Sequence, residues 1–331
     1  MGVGAVGARA ARQLQYLGPL DDVVVVDADQ GRAEAVAESL GEPARVGSSS
    51  EAEDGDVVVL AYPGSHTEAA SSALARGAHV VSVSDDLVAV QQLLALDAAA
   101  QGRDRHVVVG AGFSPGLSCV LAALAARSFE RVEEVHVAKV GTGGPSCEHQ
   151  QLEAVNKDGL DWRDGAWESR RGGSGRELCW FPDPLRGVDC YCAALAEPTL
   201  LLGAFPDATR ITARAAGGRK ALLLSRLPKI RRDNAEGTLG ALRVEVRGSQ
   251  GTSLDDRVLG AVDRPAVASG AVAAMAARWA LDGRLARTGA SGLAGLVEPG
   301  PFLAALAERG VKVAVFEGGQ HGAEAAAASR R

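Results

Sequence analysis

The chain has 331 residues, a formal net charge of −6 and a hydrophobic share of 47%. Its length suggests two domains, and its apolar content excludes global disorder. The mild acidity argues against a nucleic-acid binder, which would present a basic face. No apolar run approaches the roughly 20 residues of a membrane helix, and the N-terminus lacks the pattern of a signal peptide. We therefore expect a cytoplasmic protein that binds neither nucleic acid nor membrane.

Over the first 130 residues, short β-branched runs alternate with helical stretches. Strands are predicted at residues 23–26, 57–60, 80–83 and 106–109. Helices are predicted at residues 31–40, 66–76, 87–100 and 117–127. Continuous apolar strands that alternate with helices predict an α/β fold with a doubly wound parallel sheet of the Rossmann type.

The pattern changes near residue 131, where a strand of alternating character begins at residues 132–140. It is predicted to place Val135, Val137 and Lys139 on one face. Further strands are predicted at residues 177–181, 208–215 and 241–247, and helices at residues 266–282 and 301–309. These elements predict a second, α+β domain with an open sheet. We therefore divide the chain into a dinucleotide-binding domain (1–130), a substrate domain (131–317) and a flexible tail (318–331).

The five cysteines are scattered, and none falls in a CxxC pair. This usage predicts reduced thiols, with neither a disulfide framework nor a metal site. Cys190 and Cys192 alternate in a predicted strand, so we expect both thiols on one side of it and buried there.

The N-terminal sequence GVGAVG matches the G-x-G-x-x-G motif of dinucleotide-binding domains. Gly2 would permit a tight turn, Gly4 the close approach of a pyrophosphate, and Gly7 the packing of helix on strand. Ala5 and Val6 would open the helix whose free N–H groups favour an anion. The alternative is a glycine-rich turn that binds no ligand.

Asp27 ends the next predicted strand, at the spacing that suits hydrogen bonds to an adenosine ribose. With its neighbour Ala28 it would lie at the adenosine end of the cofactor. A carboxylate there favours NAD over NADP, although Arg32 just beyond could face the 2′-phosphate of NADP. Asp27 could instead cap the next helix. We expect NAD or NADP, with a lean to NAD.

The motif normally follows a strand at the centre of the sheet, but only Met1 precedes Gly2. We therefore expect a Rossmann sheet whose first strand is truncated. A start upstream of this Met1, or a shortened piece of the protein, is favoured over a domain that folds without that strand, because the neighbouring strands would lose their partner.

Three stretches carry a resemblance to a known family: PGSH at residues 63–66, ALARGAHVVSVSDD at 73–86 and GAGFSPGLSC at 110–119. This succession resembles the saccharopine dehydrogenase-like oxidoreductases, and most of all their uncharacterised bacterial members. The resemblance is good over residues 1–130 and looser beyond. It implies hydride transfer between a nicotinamide and a C–N bond, and a chain that often returns to the first domain at its end.

The same resemblance implies which residues meet the cofactor and the substrate. Cofactor contacts beyond the glycine motif and Asp27 are expected from Tyr62, Pro63, Ser84, Gly112 and Phe113. Asp85 and Asp86 match the acidic end of a strand, where a doubly wound sheet binds its ligand. Either aspartate could instead cap the helix that follows, and His66 could open a helix rather than touch the cofactor.

A proton-handling group is expected beside the nicotinamide. The candidates are Lys139, which could equally snorkel, His149, which follows a glycine-rich loop, and Asp85. Lys157 and Asp161 are further candidates. Several arginines could clamp a substrate carboxylate, namely Arg170, Arg171, Arg210 and Arg214.

We therefore predict an NAD(P)-dependent oxidoreductase that acts on the C=N, C–N or carbonyl centre of a small polar substrate. That substrate would be amino-acid-like or a secondary metabolite, and the protein could form a homodimer. Two alternatives stay open: a nucleotide-binding sensor that retains the fold without catalysis, and an isomerase or lyase that recycles NAD within each turnover.

Overall fold

The computed structural model describes residues 1–217 and 237–316. The helices are α1 (Ala5–Leu17), α2 (Gln30–Leu40), α3 (Ser49–Glu53), α4 (Thr67–Ala75), α5 (Leu87–Leu94), α6 (Asp97–Gln101), α7 (Leu117–Ala126), α8 (Pro145–Asn156), α9 (Glu197–Ala204), α10 (Pro265–Leu281) and α11 (Pro299–Ala307). The strands are β1 (Val23–Val25), β2 (Ala44–Val46), β3 (Val57–Leu60), β4 (His79–Ser82), β5 (His106–Val109), β6 (Arg131–Val140), β7 (Gly159–Arg163), β8 (Ala166–Arg170), β9 (Glu177–Trp180), β10 (Gly187–Cys192), β11 (Arg210–Ala216), β12 (Gly240–Gln250), β13 (Ser253–Asp263), β14 (Gly289–Ser291) and β15 (Val313–Phe316).

The first domain contains parallel strands covered by helices. Strands β3, β4 and β5 run side by side, and β1 pairs with β2 in a separate two-stranded ladder. The strands are apolar on both faces because helices cover both, as in β5, where all four residues are buried. The predicted doubly wound α/β domain is confirmed.

Met1 and Gly2 join the two ladders. The amino group of Met1 donates to the carbonyl of Val59 at 2.8 Å, and its carbonyl accepts from the N–H of Ala61 at 2.9 Å. On the other side, Gly2 N–H donates to the carbonyl of Val26 at 2.7 Å. These two residues therefore lie where the central strand of a Rossmann sheet would run, and with them the strand order is the usual one of that fold.

The chain returns to the first domain near its end. Helix α10 packs against α1 so closely that a Cβ on Gly270 would lie 2.5 Å from the Cβ of Arg9. Strand β14 then pairs in parallel with β5 and extends the first sheet. Most residues of α10 are buried. Many of them are alanines, whose small side chains allow the two helices to pack this closely.

The second sheet is mixed and has nine strands within the described residues. Strand β6 lies between the parallel β11 and the antiparallel β12. Val135, Val137 and Lys139 are buried on one face, as predicted, but Ala138 on the other face is buried as well. The opposite face carries polar groups such as Glu134 and His136, which contact each other at 2.8 Å. The predicted second domain with an open sheet is thus present.

Some predicted elements differ in detail. The helix predicted at 87–100 is divided into α5 and α6. Strand β13 was not predicted, because its first half, SLDDR, is charged and exposed. The five cysteines are free thiols, and Cys190 and Cys192 are both buried in β10, as expected. The predicted tail lies outside the described residues.

Candidate active site

The glycine motif forms a compact loop, and each of its glycines is explained by a different feature of that loop. Gly2 adopts φ +81°, and a Cβ there would lie 2.6 Å from the backbone nitrogen of Tyr62. A Cβ on Gly7 would lie 1.8 Å from the carbonyl oxygen of Gly2. At Gly4, by contrast, nothing lies within 4 Å of the Cβ position. Two glycines therefore serve packing, while the third leaves room for a ligand.

Helix α1 begins directly after this open position. Gly4 is its N-terminal cap residue and supplies no side-chain cap, and Ala5 and Val6 line the adjoining cleft. The first N–H groups of a helix and its dipole both favour an anion. The loop thus fits the pyrophosphate of a dinucleotide.

Asp27 lies just after β1, at the outer end of the same loop. Its carboxylate accepts the N–H groups of Val3 at 2.8 Å and Asp29 at 2.9 Å. Burial alone would raise the pKa of Asp27, but these hydrogen bonds and the neighbouring Arg32 hold it below the ordinary value. Asp27 therefore stays ionised. Asp29, not Asp27, caps helix α2, so the alternative role considered for Asp27 belongs to another residue.

One cleft of about 1260 Å³ connects this loop with the second domain. All the predicted cofactor residues except the packing glycine Gly7 line it, and so do Asp85 and Lys139. They are Gly2, Gly4, Ala5, Val6, Asp27, Ala28, Arg32, Tyr62, Pro63, Ser84, Gly112 and Phe113. The fold thus gathers side chains from both domains around one elongated space.

The loop at residues 110–116 forms the inner wall. Gly112 N–H donates to the carbonyl of Pro115 at 2.9 Å, and Phe113 N–H donates to the hydroxyl of Ser269 on α10 at 2.9 Å. Gly116 adopts φ +125°, and a Cβ there would collide with Gly112 at 2.1 Å. The returning helix therefore holds this loop against the cleft.

The two neighbouring aspartates after β4 have different roles. Asp86 caps α5 and accepts the N–H of Ala89 at 2.9 Å. Asp85 faces the cleft, where one carboxylate oxygen lies 3.6 Å from Nζ of Lys139. The capping role therefore belongs to Asp86, and Asp85 is available for the site.

Lys139 is the buried cation of the cleft. It lies on β6 in the second domain, lines the cleft and is 6% exposed. Its Nζ donates to the carbonyl of Ser114 at 3.4 Å, besides its ion pair with Asp85. Because a buried charge needs partners, these two contacts fix the position of the ammonium group.

His149 does not reach the cleft. Its side chain is 76% exposed and pairs with Glu153, one helical turn further along α8. The residues of α8 that line the cleft are Pro145 and Ser146 in its first turn, followed by Cys147, Gln150 and Gln151. Cys147, Gln150 and Gln151 share a helix face that points away from His149, so the predicted role of His149 as a cleft group is wrong.

The other candidates in the second domain are engaged elsewhere. Asp161 accepts two hydrogen bonds from Arg214, at 2.9 and 2.8 Å, and lies 3.6 Å from Arg170. Lys157 is exposed and pairs with Glu153. None of these residues, nor Arg171 or Arg210, is among the described residues that line the cleft.

His66 has a structural role. It is completely buried, and its ring nitrogens lie 2.8 Å from the hydroxyl of Ser82 and from the carbonyl of Tyr62. Burial lowers its pKa, so the ring is neutral at pH 7. It thereby holds Tyr62 and the loop that follows against the sheet.

Residues 1–86 match the family model described as NADP oxidoreductase, coenzyme F420-dependent. The apo saccharopine dehydrogenase (L-Glu forming) of Saccharomyces cerevisiae superimposes with a TM-score of 0.65 at 15% identity, covering 94% of this chain and 98% of that chain. The chain has the fold of a saccharopine dehydrogenase. The amine dehydrogenase of Mycobacterium smegmatis superimposes with a TM-score of 0.51 at 12% identity, covering 90% of this chain and 94% of that chain. No curated protein sequence matches significantly.

These similarities confirm the predicted resemblance to saccharopine dehydrogenase-like, NAD(P)-dependent oxidoreductases. Within residues 1–217 and 237–316, no group of three His, Cys, Asp or Glu side chains could hold a metal ion. No helix in that part of the chain is long and apolar enough to cross a bilayer.

Proposed function

We propose that this protein transfers a hydride between NAD(P) and a C=N, C–N or carbonyl carbon of a small, polar, amino-acid-like or secondary-metabolite substrate. One observation carries the proposal. A single cleft joins a loop fitted to a dinucleotide, at Gly4 and Asp27, with a buried ammonium–carboxylate pair, Lys139 and Asp85. Hydride transfer needs both a held nicotinamide and a group that moves a proton.

The first domain supplies the residues that would hold the dinucleotide. The N–H groups at the start of α1 would bind the pyrophosphate, and the carboxylate of Asp27 would accept hydrogen bonds from the adenosine ribose. Ser84, Gly112 and Phe113 would line the nicotinamide end. When bound, NAD(P) supplies or accepts the hydride.

Lys139 is the proposed proton donor. In the reducing direction the substrate carbon gains a hydride, and its nitrogen or oxygen gains a proton from Nζ of Lys139. In the oxidising direction the neutral amine takes that proton back. Asp85 orients the group and balances its charge, and the buried wall around Lys139 keeps water from competing for the proton.

The substrate end of the cleft is polar with few charges. Thr142, Ser146, Gln150 and Gln151 line it, together with the half-buried thiol of Cys147. Hydroxyl and amide groups can donate and accept hydrogen bonds, so they suit a small polar molecule. This composition supports a small, amino-acid-like substrate.

The proposal is tested by titrating the protein with NADH and NADPH and following nicotinamide fluorescence. Binding of at least one of them is expected, with NADH preferred. Oxidation of the bound cofactor is then followed with mixtures of 2-oxo acids and primary amines. If neither nucleotide binds at millimolar concentration, the proposal is wrong. Binding without turnover of any imine or ketone favours the sensor alternative.

A further inference from the structure

A carboxylate lies buried behind the cleft wall. Glu197 is the first residue of α9, and its side chain is completely shielded from solvent. The segment before it touches the first domain, since Leu195 forms a β-bridge with Asp86. Glu197 is thus held at the junction between the two domains, two residues beyond the bridge to Asp86.

Only one oxygen of Glu197 has a partner in the described part of the chain. Oε1 accepts a hydrogen bond from the hydroxyl of Ser114, whereas Oε2 is buried without a hydrogen bond. Its place in the first turn of α9 puts it at the positive end of the helix dipole, which favours a carboxylate. A buried carboxylate with one oxygen lacking a hydrogen bond lowers the stability of the fold, so such groups are rare unless they have a function.

Ser114 connects this acid to the proton-handling pair. Its hydroxyl points to Glu197, while its carbonyl oxygen accepts from Nζ of Lys139 at 3.4 Å. Ser114 is itself nearly buried and lines the cleft. A shift of Ser114 therefore moves one of the two contacts that fix the ammonium group, and the other contact is Asp85.

We propose that Glu197 is a positioning residue for Lys139: by holding the Ser114 hydroxyl it fixes the carbonyl that receives the ammonium group. Among the described residues Ser114 lines the cleft and Glu197 does not, so the effect of Glu197 on the reaction would pass through Ser114. This inference rests on the proposed function for the meaning of Lys139, but the placement of that side chain is measurable without any substrate.

The test measures how fast an amine-modifying imidoester labels Lys139 in the cofactor-free protein, by peptide mass spectrometry. The exposed Lys157 in the same molecule is the internal reference. Glu197→Gln and Ser114→Ala are each expected to raise the Lys139-to-Lys157 labelling ratio about tenfold, since each weakens a charge-assisted hydrogen bond. The double variant should label no faster than the faster single variant, because both changes break the same contact.

Thr199→Val is the matched control. Thr199 lies on the same helix, and its buried hydroxyl has no hydrogen-bond partner in the described residues, so its loss should leave the labelling ratio unchanged. Every variant must show a single cooperative thermal unfolding transition well above the labelling temperature, which shows that the core is intact. If Glu197→Gln fails this criterion, Ser114→Ala decides the question by itself.

An unchanged Lys139 ratio in variants with an intact core would overturn the inference, and so would additive effects in the double variant. Nucleotide titration of the same samples separates this failure from that of the proposed function. Once a substrate is known, Glu197→Gln should lower kcat about tenfold and leave the KM for NAD(P)H unchanged, as expected for a residue that acts at the proton-transfer step.

Discussion

The Lys139 ammonium and the Asp85 carboxylate lie 3.6 Å apart, although one belongs to the second sheet and the other follows a strand of the first. The pair therefore joins the two domains across the cleft. Asp85 is about one third exposed and Lys139 is nearly buried. A substrate entering the cleft would therefore meet the carboxylate first and the ammonium behind it.

Replacement of Lys139 by Met should abolish hydride transfer while leaving nucleotide binding intact. Methionine retains the apolar stem but has no proton to give, so we expect a loss of turnover of about 10²- to 10⁴-fold. Single-turnover oxidation of NAD(P)H measures the chemical step, and fluorescence titration measures the Kd. Lys157→Met, at an exposed site, is the control and should behave like the unmodified protein. Equal activity of the two variants would exclude Lys139 as the proton donor.

Gly4 and Gly7 should respond to substitution in opposite ways, Gly4 through ligand binding and Gly7 through stability. Gly4→Val places a side chain in open space that the pyrophosphate would occupy, so we expect NAD(P)H affinity to fall about tenfold or more while the Tm is little changed. Gly7→Ala brings a methyl group 1.8 Å from the Gly2 carbonyl and should destabilise the fold by about 1–3 kcal/mol. Thermal unfolding and nucleotide titration on both variants check this. Unaltered affinity in Gly4→Val would mean that nucleotides bind elsewhere.

Asp27 and Arg32 should control the choice between NAD and NADP. Asp27→Ala removes the carboxylate that would bind the ribose hydroxyls and repel a 2′-phosphate, so the ratio of NADH to NADPH affinity should fall about tenfold. Arg32→Ala should instead weaken NADPH alone. The measurement is a paired titration with both nucleotides. An Asp27→Ala protein with an unchanged ratio would reject the ribose role, and its Tm shows whether loss of the Val3 contact has disturbed the loop.

Much of the first domain follows from local sequence. The glycine motif, the acidic residue at its spacing and the apolar strands all depend on short-range patterns, and the strands that carry them appear where predicted. Asp85 and Asp86 show the limit of such patterns. Both follow the same strand, and only the position of helix α5 decides that Asp86 becomes its cap while Asp85 faces Lys139.

The second domain was harder to predict because its site depends on which side of α8 faces the cleft. Cys147, Gln150 and Gln151 have the three- and four-residue spacing of one helix face, but none of them is an apolar or charged signal. His149 was predicted as an acid–base group because of its imidazole, but it lies on the opposite, exposed side of the helix. The buried Glu197 was missed because its contact with Ser114 joins residues far apart in the chain.

Cys147 should report occupancy of the cleft. Its thiol is partly accessible and lines the cleft, while burial raises its pKa above the ordinary value. Cys119 is completely buried, and burial raises its pKa to about 12. Iodoacetamide should therefore label Cys147 before Cys119, slowly at pH 7 and faster at pH 9, because the thiolate is the reactive form. A ligand in the cleft should slow the labelling of Cys147, as measured by peptide mass spectrometry. Equal labelling rates of Cys147 with and without the ligand would contradict this prediction.

Stability should decline between pH 6.5 and pH 4 because of a histidine pair far from the cleft. His79 and His106 begin strands β4 and β5, and their rings stack with centroids 4.9 Å apart. Burial lowers the pKa of His79 to about 4, and the neighbouring His106 adds to the shift. The unfolded chain therefore binds a proton as pH falls through about 6.5, whereas the folded chain does so only near pH 4. Stability from this pair is complete above pH 6.5 and lost as pH approaches 4.

Urea unfolding of the unmodified protein and of His79→Asn at pH 7.5 and 5 tests this prediction. The introduced amide oxygen can still accept the hydrogen bond that the N–H of His106 gives to the His79 ring at 3.1 Å, but the amide cannot titrate. The variant should lose less free energy of unfolding between the two pH values than the unmodified protein. Part of the decline should persist, because burial also lowers the pKa of His66 and His136. An identical loss in both proteins would show that His79 keeps an ordinary pKa in the folded state.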